Sequence, residues 1–181
     1  LHRARRRHRR HRNRNIGKNM SKLIATFFYV GYLRPAPGTW GSLAALPVAW
    51  VLITYTGLYG LIFASAIAYV LGLWATKLQT AGTDNHDPSE IVIDEVVGQW
   101  IALLPIASIV SSRGLDALAL WPGWIVAFAL FRLFDITKPW LVGWADRRDD
   151  ATGVMLDDVI AGIFAALGVL VLGGFYHAVV V

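Results

Sequence analysis

The stretch LAALPVAWVLITYTGLYGLIFASAIAYVLGLWA, residues 43–75, decides the fold, because it stays apolar for far longer than a strand of a soluble sheet. Gly57 divides it into two apolar runs. Further apolar runs follow, so that the chain carries five: 43–56, 58–75, 96–110, 117–134 and 159–181. Runs of this length without period-two alternation favour helices. The sequence therefore predicts an all-α helical bundle.

Composition narrows the class of protein. The chain has 181 residues, enough for one domain at roughly 150 residues per domain. Apolar residues make up 56%, charged residues only 16%, and the mean hydropathy is +0.50. Soluble domains carry about 25% charged residues, so neither a disordered chain nor an ordinary soluble enzyme fits. The absence of cysteine excludes disulfides, thiolate metal sites and cysteine nucleophiles.

Charge is divided unevenly along the chain. Residues 1–22 hold ten of the seventeen Lys and Arg and no acid, whereas the remainder has seven bases and twelve acids. We expect residues 1–22 to be a basic, disordered tail, with a start at Met20, followed by one domain over 23–181. A solvated arm near anionic lipid is an alternative role for the tail. Nucleic-acid binding is disfavoured, because the tail has no aromatic residue for base stacking.

The apolar runs suggest a membrane-embedded bundle, since about 20 apolar residues span the hydrocarbon core. Run 159–181 is a good span, while 43–56 and 96–110 are short, and a soluble bundle remains the alternative. If the first two runs form a hairpin and each later run crosses once, the polar loops emerge on one side. Six of the seven Lys and Arg outside the tail then lie on that side, which the positive-inside rule makes cytoplasmic. Tryptophans near the run ends fit an interfacial belt.

Two adjacent acid pairs lie at the edges of apolar runs. Asp87-Pro88-Ser89-Glu90 predicts a helix start with Asp87 as N-cap, which places Asp94-Glu95 two turns into that helix. The pair Asp157-Asp158 opens the last run. Paired carboxylates repel each other unless a cation is present. Favourable interaction with the helix macrodipole is the alternative explanation of both pairs.

Basic and small residues accompany these acids. Arg132, Asp135 and Lys138 lie between the two pairs, and Gly38-Thr39 precede the first run. Acids brought to one surface from separate helices suit Mg²⁺, which prefers carboxylate oxygens. Arginine and lysine suit phosphate, as does a helix N-terminus after Gly38, although an ordinary turn is the alternative there. The sequence thus predicts an acidic site at the ends of several helices.

Four motifs in order, PAPGTWGSLAALP, IVIDEVVGQW, FRLFDITKPW and GVMLDDVIAG, resemble those of the phosphatidylglycerophosphatase A family over about residues 23–175. The resemblance implies an all-α, Mg²⁺-dependent phosphatase of the bacterial inner membrane that hydrolyses phosphatidylglycerophosphate, a phospholipid. The distribution of Lys and Arg predicts that its active site lies at the cytoplasmic face. By motif, it implies a metal site of Asp94, Glu95, Asp157 and Asp158. It implies catalytic roles for Asp94, Glu95, Asp135 and Asp158, and substrate binding by Gly38, Thr39, Arg132 and Lys138. Leu141, where the family commonly has proline, and residues 149–153 depart from its pattern.

Other chemistries fit the sequence less well. A phosphohistidine mechanism needs two placed histidines, and the body has only His86 and His177. A CDP-alcohol phosphotransferase needs a differently spaced acidic signature. A cation transporter would place ionisable residues in mid-span, whereas these lie at run ends. Metal-assisted hydrolysis is therefore the preferred prediction.

Overall fold

The computed structural model describes residues 16–83, 85 and 87–180 of the chain. All regular secondary structure in these residues is helical, which confirms the all-α expectation. The elements are α1 (16–25), the 3-10 turn η1 (Val30–Tyr32), α2 (Pro37–Thr80), α3 (Ile93–Ala102), α4 (Leu104–Arg113), α5 (Trp121–Thr137), α6 (Leu141–Asp146) and α7 (Ala151–Val180).

Helix α1 occupies part of the range assigned to the tail. Gln79 Nε2 at the end of α2 donates to Ser21 Oγ over 2.7 Å and to the Lys18 carbonyl oxygen over 3.1 Å. Residues 16–22 are therefore helical and attached to the bundle, in contrast to the irregular segment that the sequence predicts. Residues 1–15 lie outside the described part of the chain.

Helix α2 is a hairpin of two limbs that meet at Gly57. Gly57 has φ 64° and ψ −158°, a conformation that a residue with a side chain rarely adopts. The Leu58 N–H, freed by this break, donates to Ser111 Oγ over 2.9 Å. Gly41 on the first limb contacts Val92, and Gly72 on the second contacts Ile93, so both limbs return to the start of α3. This agrees with the predicted hairpin.

The third apolar run is divided in two. Helices α3 and α4 meet at Leu103 with a bend of 46°. Pro105, near the start of α4, has no N–H to continue the hydrogen bonding of α3, which explains the break. The prediction of one uninterrupted helix over 96–110 is therefore wrong. Helix α3 lies at the centre of the bundle, and eight of its ten residues are buried.

The predicted helix start at residues 87–90 is also wrong. Those residues form a bend and a turn, and α3 begins at Ile93. Tertiary contacts override the local capping pattern, because the Val92 N–H donates to the Ala25 carbonyl oxygen over 2.9 Å. Gly31 packs directly against the Glu90 backbone. The segment before α3 is thus held in an irregular conformation by η1 and α1.

Helix α7 begins earlier than the apolar pattern predicts. Asp150 Oδ1 accepts a hydrogen bond of 2.7 Å from the Gly153 N–H, which makes Asp150 the cap of a helix that starts at Ala151. This hydrogen bond keeps the pKa of Asp150 below its usual value. Asp157 and Asp158 therefore lie inside α7 rather than at its first residue. Helix α5 begins at Trp121, four residues later than the apolar run.

Length and hydropathy give this bundle the character of a membrane protein. Among the described residues, α2 and α7 are long and apolar enough to cross a membrane, and the bent α3–α4 pair would make a third span. Their outer faces carry exposed apolar side chains such as Val70, Val171 and Phe175. The tryptophan belt is only partly as predicted, because Trp100 and Trp124 are buried and donate to backbone carbonyls.

Candidate active site

A polar cavity of about 310 Å³ lies where α2, α3 and α7 begin and α5 ends. Its lining is dominated by ionisable side chains: Asp87, Asp94, Glu95, Arg132, Asp135, Lys138, Asp146, Arg148, Asp149, Asp157 and Asp158. Eight carboxylates therefore face three cationic side chains. An excess of negative charge in a confined space favours binding of a multivalent cation.

Three carboxylates form the centre of the cavity. Asp94, Glu95 and Asp158 each place one oxygen within 4.8 Å of the others. Asp94 and Asp158 are 5% and 3% exposed, so two of the three are essentially removed from bulk solvent. Since α3 and α7 are distant in sequence, their crossing brings these groups together.

The crossing depends on two glycines placed one turn beyond the acids. Gly98 follows Asp94 by four residues, and Gly162 follows Asp158 by four. A Cβ atom on Gly98 would lie 2.6 Å from the Asp158 carbonyl oxygen, and one on Gly162 would lie 3.1 Å from Gly98 Cα. Only helices without side chains at these positions approach so closely. The glycines therefore set the distance between the two carboxylate-bearing helices.

Several polar atoms of this cluster have no protein partner. Glu95 Oε2 and Asp158 Oδ1 are inaccessible to solvent and accept no hydrogen bond. Buried carboxylate oxygens are costly unless a cation or a donor satisfies them. An all-oxygen donor set of this kind fits a hard divalent cation such as Mg²⁺.

Arg132 forms the wall beside this cluster. Its Nη1 lies 2.6 Å from Asp135 Oδ2, one turn further along α5. Its Nε atom is buried and has no hydrogen-bond partner. A side chain at Gly38 would collide with the Glu95 carboxylate, and its Cβ would lie 3.2 Å from Arg132 Nη1. The start of α2, the arginine and the carboxylates are thus in direct proximity.

Lys138 joins the two sides of the cavity mouth. Its ammonium group hydrogen-bonds Asp146 of α6 and, over 2.8 Å, Asp157 of α7. Burial alone would lower the pKa of Lys138, but these two carboxylates outweigh it and raise the pKa above its usual value. Asp157 precedes Asp158 of the three-carboxylate cluster, and one of its oxygens accepts a hydrogen bond from Lys138.

The N-terminus of α2 opens into the same cavity. Ala36, Pro37 and Gly38 line it, and no side chain caps this helix end. The unpaired N–H groups of a first helical turn bind anionic oxygens. The motif resemblance pairs Thr39 with Gly38 as a substrate contact, but Thr39 is not among the lining residues. Gly38 therefore lines the cavity, and Thr39 does not.

The macrodipole alternative applies differently to the two acid pairs. Asp94 and Glu95 lie in the first turn of α3, where acids are favoured, whereas the first turn of α7 contains no acid. Macrodipole stabilisation therefore does not explain Asp157 and Asp158. The macrodipole also does not explain why Glu95 Oε2 is buried without a hydrogen-bond partner.

Several residues at the opening of the cavity, near Lys138, were not identified as site residues from the sequence. Asp146 binds Lys138, and Asp87, Ser89, Arg148 and Asp149 line the cavity. The eight-residue spacing between Lys138 and Asp146 carries no recognisable pattern, because α6 turns back to bring them together. Arg148 stacks near Trp144, at 5.9 Å from the ring centroid.

Fold and site together define a small helical membrane protein with a carboxylate-rich cavity at one end of its bundle. The chain belongs to the phosphatidylglycerophosphatase A family, whose model matches residues 23–173. This match confirms the family resemblance drawn from the four motifs.

Three bacterial relatives align with most of the chain. A phosphatidylglycerophosphatase A of Haemophilus influenzae is 37% identical over 150 residues, which covers 82% of this chain and 86% of the relative. That of Escherichia coli is 33% identical over 165 residues, covering 86% and 88%. A protein of Bacteroides thetaiotaomicron named putative phosphatidylinositol-3-phosphatase is 37% identical, covering 79% and 87%. No solved structure matches the chain.

Proposed function

We propose that this protein is a Mg²⁺-dependent phosphatidylglycerophosphatase that releases the terminal phosphate of phosphatidylglycerophosphate in phospholipid biosynthesis. Family membership supports the reaction and the lipid substrate. The observation that carries the mechanism is the cluster of Asp94, Glu95 and Asp158 directly beside Arg132. Carboxylates for a metal ion and cations for a phosphate are the two requirements of metal-assisted phosphomonoester hydrolysis.

The metal site consists of Asp94, Glu95 and Asp158, with Asp157 supporting it from the adjacent position on α7. The oxygens of Glu95 and Asp158 that lack partners supply free ligand positions. Mg²⁺ held by these carboxylates would supply positive charge to neutralise the phosphate oxygens and to lower the pKa of the attacking water. Asp157 holds Lys138 at the cavity mouth.

Phosphate binding falls to Arg132, Lys138 and the start of α2. Arg132 and Lys138 both line the cavity, and both are anchored by carboxylates that fix their direction. The backbone N–H groups at Gly38 add donors without a side chain that would fill the space. Positively charged groups placed in advance stabilise the charge that develops on the transferring phosphoryl group.

Hydrolysis requires a proton acceptor for the attacking water. Asp135 lines the cavity outside the three-carboxylate cluster, so we assign it this role. Asp135 takes a proton from the water as the water oxygen bonds to phosphorus and the bond between phosphorus and the glycerol oxygen breaks. The glycerol oxygen leaves as a hydroxyl group with that proton. The products are phosphatidylglycerol and inorganic phosphate.

We place the active site at the cytoplasmic face of the bacterial inner membrane. Six of the seven Lys and Arg outside residues 1–22 lie at the cavity end of the bundle or in its loops, and Arg113 ends α4 at the other end. Gly57 and Ser111, which are in contact, mark that opposite end. A reporter fused after Val181 should map to the periplasmic side, and a cytoplasmic reporter signal would contradict this orientation.

The test is phosphate release by the purified full chain from phosphatidylglycerophosphate, with Mg²⁺ and with a chelator. The Bacteroides relative makes phosphatidylinositol 3-phosphate the appropriate competing substrate. We expect Mg²⁺-dependent release and a higher kcat/KM for phosphatidylglycerophosphate. Asp116→Asn is the matched control, because Asp116 is exposed in the loop between α4 and α5. A preference for the inositol lipid would overturn the substrate assignment, and full activity in chelator would overturn the metal.

A further inference from the structure

A second cavity, entirely distinct in character, lies between the two limbs of α2. It measures about 490 Å³, and its lining is almost wholly apolar. Val48 and Leu52 line it from the first limb, Ala64 and Ile67 from the second, and Trp100 from α3. We refer to it as the limb groove. Because α2 as a whole is long and apolar enough to cross a membrane, the limb groove between its limbs faces the hydrocarbon region in a membrane-embedded bundle.

The limb groove is elongated. Its lining runs from Gly60 to Leu71 along the second limb, which corresponds to about 17 Å at 1.5 Å per residue. The small residues Gly60, Ala64 and Ala68, four apart on one face, leave space between the limbs. The elongated shape and the apolar lining suit an extended hydrocarbon chain.

A strained aromatic turn borders the limb groove. Phe27, Phe28 and Tyr29 have φ values of 42°, 57° and 68°, three consecutive left-handed residues that are not glycine. Such backbone is costly and is kept where the surroundings require it. Phe27 and Phe28 both line the groove, although Phe28 is 70% exposed. This turn therefore presents Phe28 at the groove, whereas Phe27 lines the groove and also packs against the core.

The limb groove and the acidic cavity are lined by consecutive residues at the start of α3. Ile93 lines the groove, and the next residue, Asp94, lines the cavity. We infer that the limb groove binds one acyl chain of the phospholipid whose phosphate is hydrolysed in the cavity. This inference rests on the proposed function, since it gives the substrate a second point of attachment on the same molecule.

The limb groove acts by positioning rather than by adding hydrophobic affinity. An acyl chain leaves one apolar environment, the bilayer, for another, so little transfer free energy is gained. Holding the chain fixes the depth and direction of the headgroup relative to Asp94. Orientation of this kind is worth large factors in rate, because even 1 Å of misplacement costs about 100-fold.

The test compares long-chain with dihexanoyl phosphatidylglycerophosphate in Ala64→Trp and Ala66→Trp. Ala64 lines the groove, whereas Ala66 is exposed on the outer face of the same limb. We expect Ala64→Trp to lower kcat/KM for the long-chain lipid about tenfold relative to the short-chain lipid. Ala66→Trp should leave the ratio of the two unchanged. If the ratio of kcat/KM for the long-chain and short-chain lipids is the same in both variants and the wild type, the inference that the groove binds an acyl chain is wrong.

Photocrosslinking provides a measurement that does not need activity. Phosphatidylglycerophosphate with a diazirine in its acyl chain should label Leu52 or Ile67 in the wild-type protein, more strongly than phosphatidylcholine with the same chain. Equal labelling by both lipids would identify ordinary membrane lipid as the occupant and overturn the inference. If the wild type hydrolyses neither phosphatidylglycerophosphate, the proposed function itself fails. If Ala64→Trp does not fold, the wild-type labelling decides.

Discussion

Replacing Gly162 by alanine should separate the two helices that carry the carboxylate cluster. The new Cβ would lie 3.1 Å from both Cα and the carbonyl carbon of Gly98, and closer still to the Gly98 carbonyl oxygen. These neighbours are backbone atoms, so no side chain can rotate away. Because packed interiors hold no spare space, relief requires roughly 1 Å of movement between α3 and α7.

That movement has two measurable consequences. It displaces Asp158 relative to Asp94 and Glu95, and about 1 Å of misplacement costs about 100-fold in turnover. Overpacking costs about 1–3 kcal/mol, of which the higher helix propensity of alanine returns about 1 kcal/mol. We therefore expect a large loss of activity accompanied by only a modest loss of stability.

The assay is phosphate release across a Mg²⁺ titration, together with thermal unfolding in detergent. Gly173→Ala is the control, because Gly173 lies in the same helix and a Cβ atom added there would have no neighbour within 4 Å. It should keep full activity and gain stability through helix propensity. Wild-type turnover and an unchanged Mg²⁺ requirement in Gly162→Ala would refute the view that this crossing sets the site geometry.

Four further outcomes follow from the structure. Lys138→Gln should raise KM about tenfold or more, because a charged hydrogen bond to the substrate is lost. Because the pKa of Lys138 is raised, wild-type activity should not fall through deprotonation of this lysine between about pH 7 and 10. Asp150→Ala should lower the free energy of unfolding by about 1 kcal/mol at neutral pH. The pKa of Asp150 is lower in the folded than in the unfolded protein, so its contribution is fully present above the unfolded-state pKa. The contribution should be lost as the pH falls through the folded-state pKa. Gln99→Leu should leave thermal stability equal or higher, because both amide atoms of Gln99 are buried without partners. A chain shortened to begin at Met20 loses the Lys18 carbonyl oxygen but keeps Ser21, to which Gln79 also donates. It should retain turnover in vesicles, and complete loss of activity would contradict the expectation that residues 1–19 are dispensable.

The helical class and the hairpin could be predicted from the sequence because they depend on local pattern. A long apolar run in a membrane forms a helix, because the helix satisfies its backbone hydrogen bonds internally. Gly57 separates two such runs. The break at Leu103 could have been found from Pro105, which interrupts an apolar run in the same way. The start of α7 carried a signal as well, since Asp150 is a typical N-cap residue.

The predicted helix start at Asp87 failed because a capping pattern describes only local energetics. The contacts of Val92 with Ala25 and of Glu90 with Gly31 join segments far apart in the chain. The same limit applies to the site. Acid pairs and nearby cations could be identified as types, but the pairing of Asp157 with Lys138 depends on how α6 folds back.

The central claim is that Asp94, Glu95 and Asp158 act as one Mg²⁺ site, and the Mg²⁺ dependence of phosphate release tests it most directly. Asp94→Asn and Asp158→Asn keep side-chain shape and remove charge, and Asp116→Asn makes the same change outside the cavity. We predict that both cavity variants need far more Mg²⁺ and reach lower turnover, whereas Asp116→Asn behaves as wild type. Near-normal turnover at low Mg²⁺ in both cavity variants would contradict the metal site.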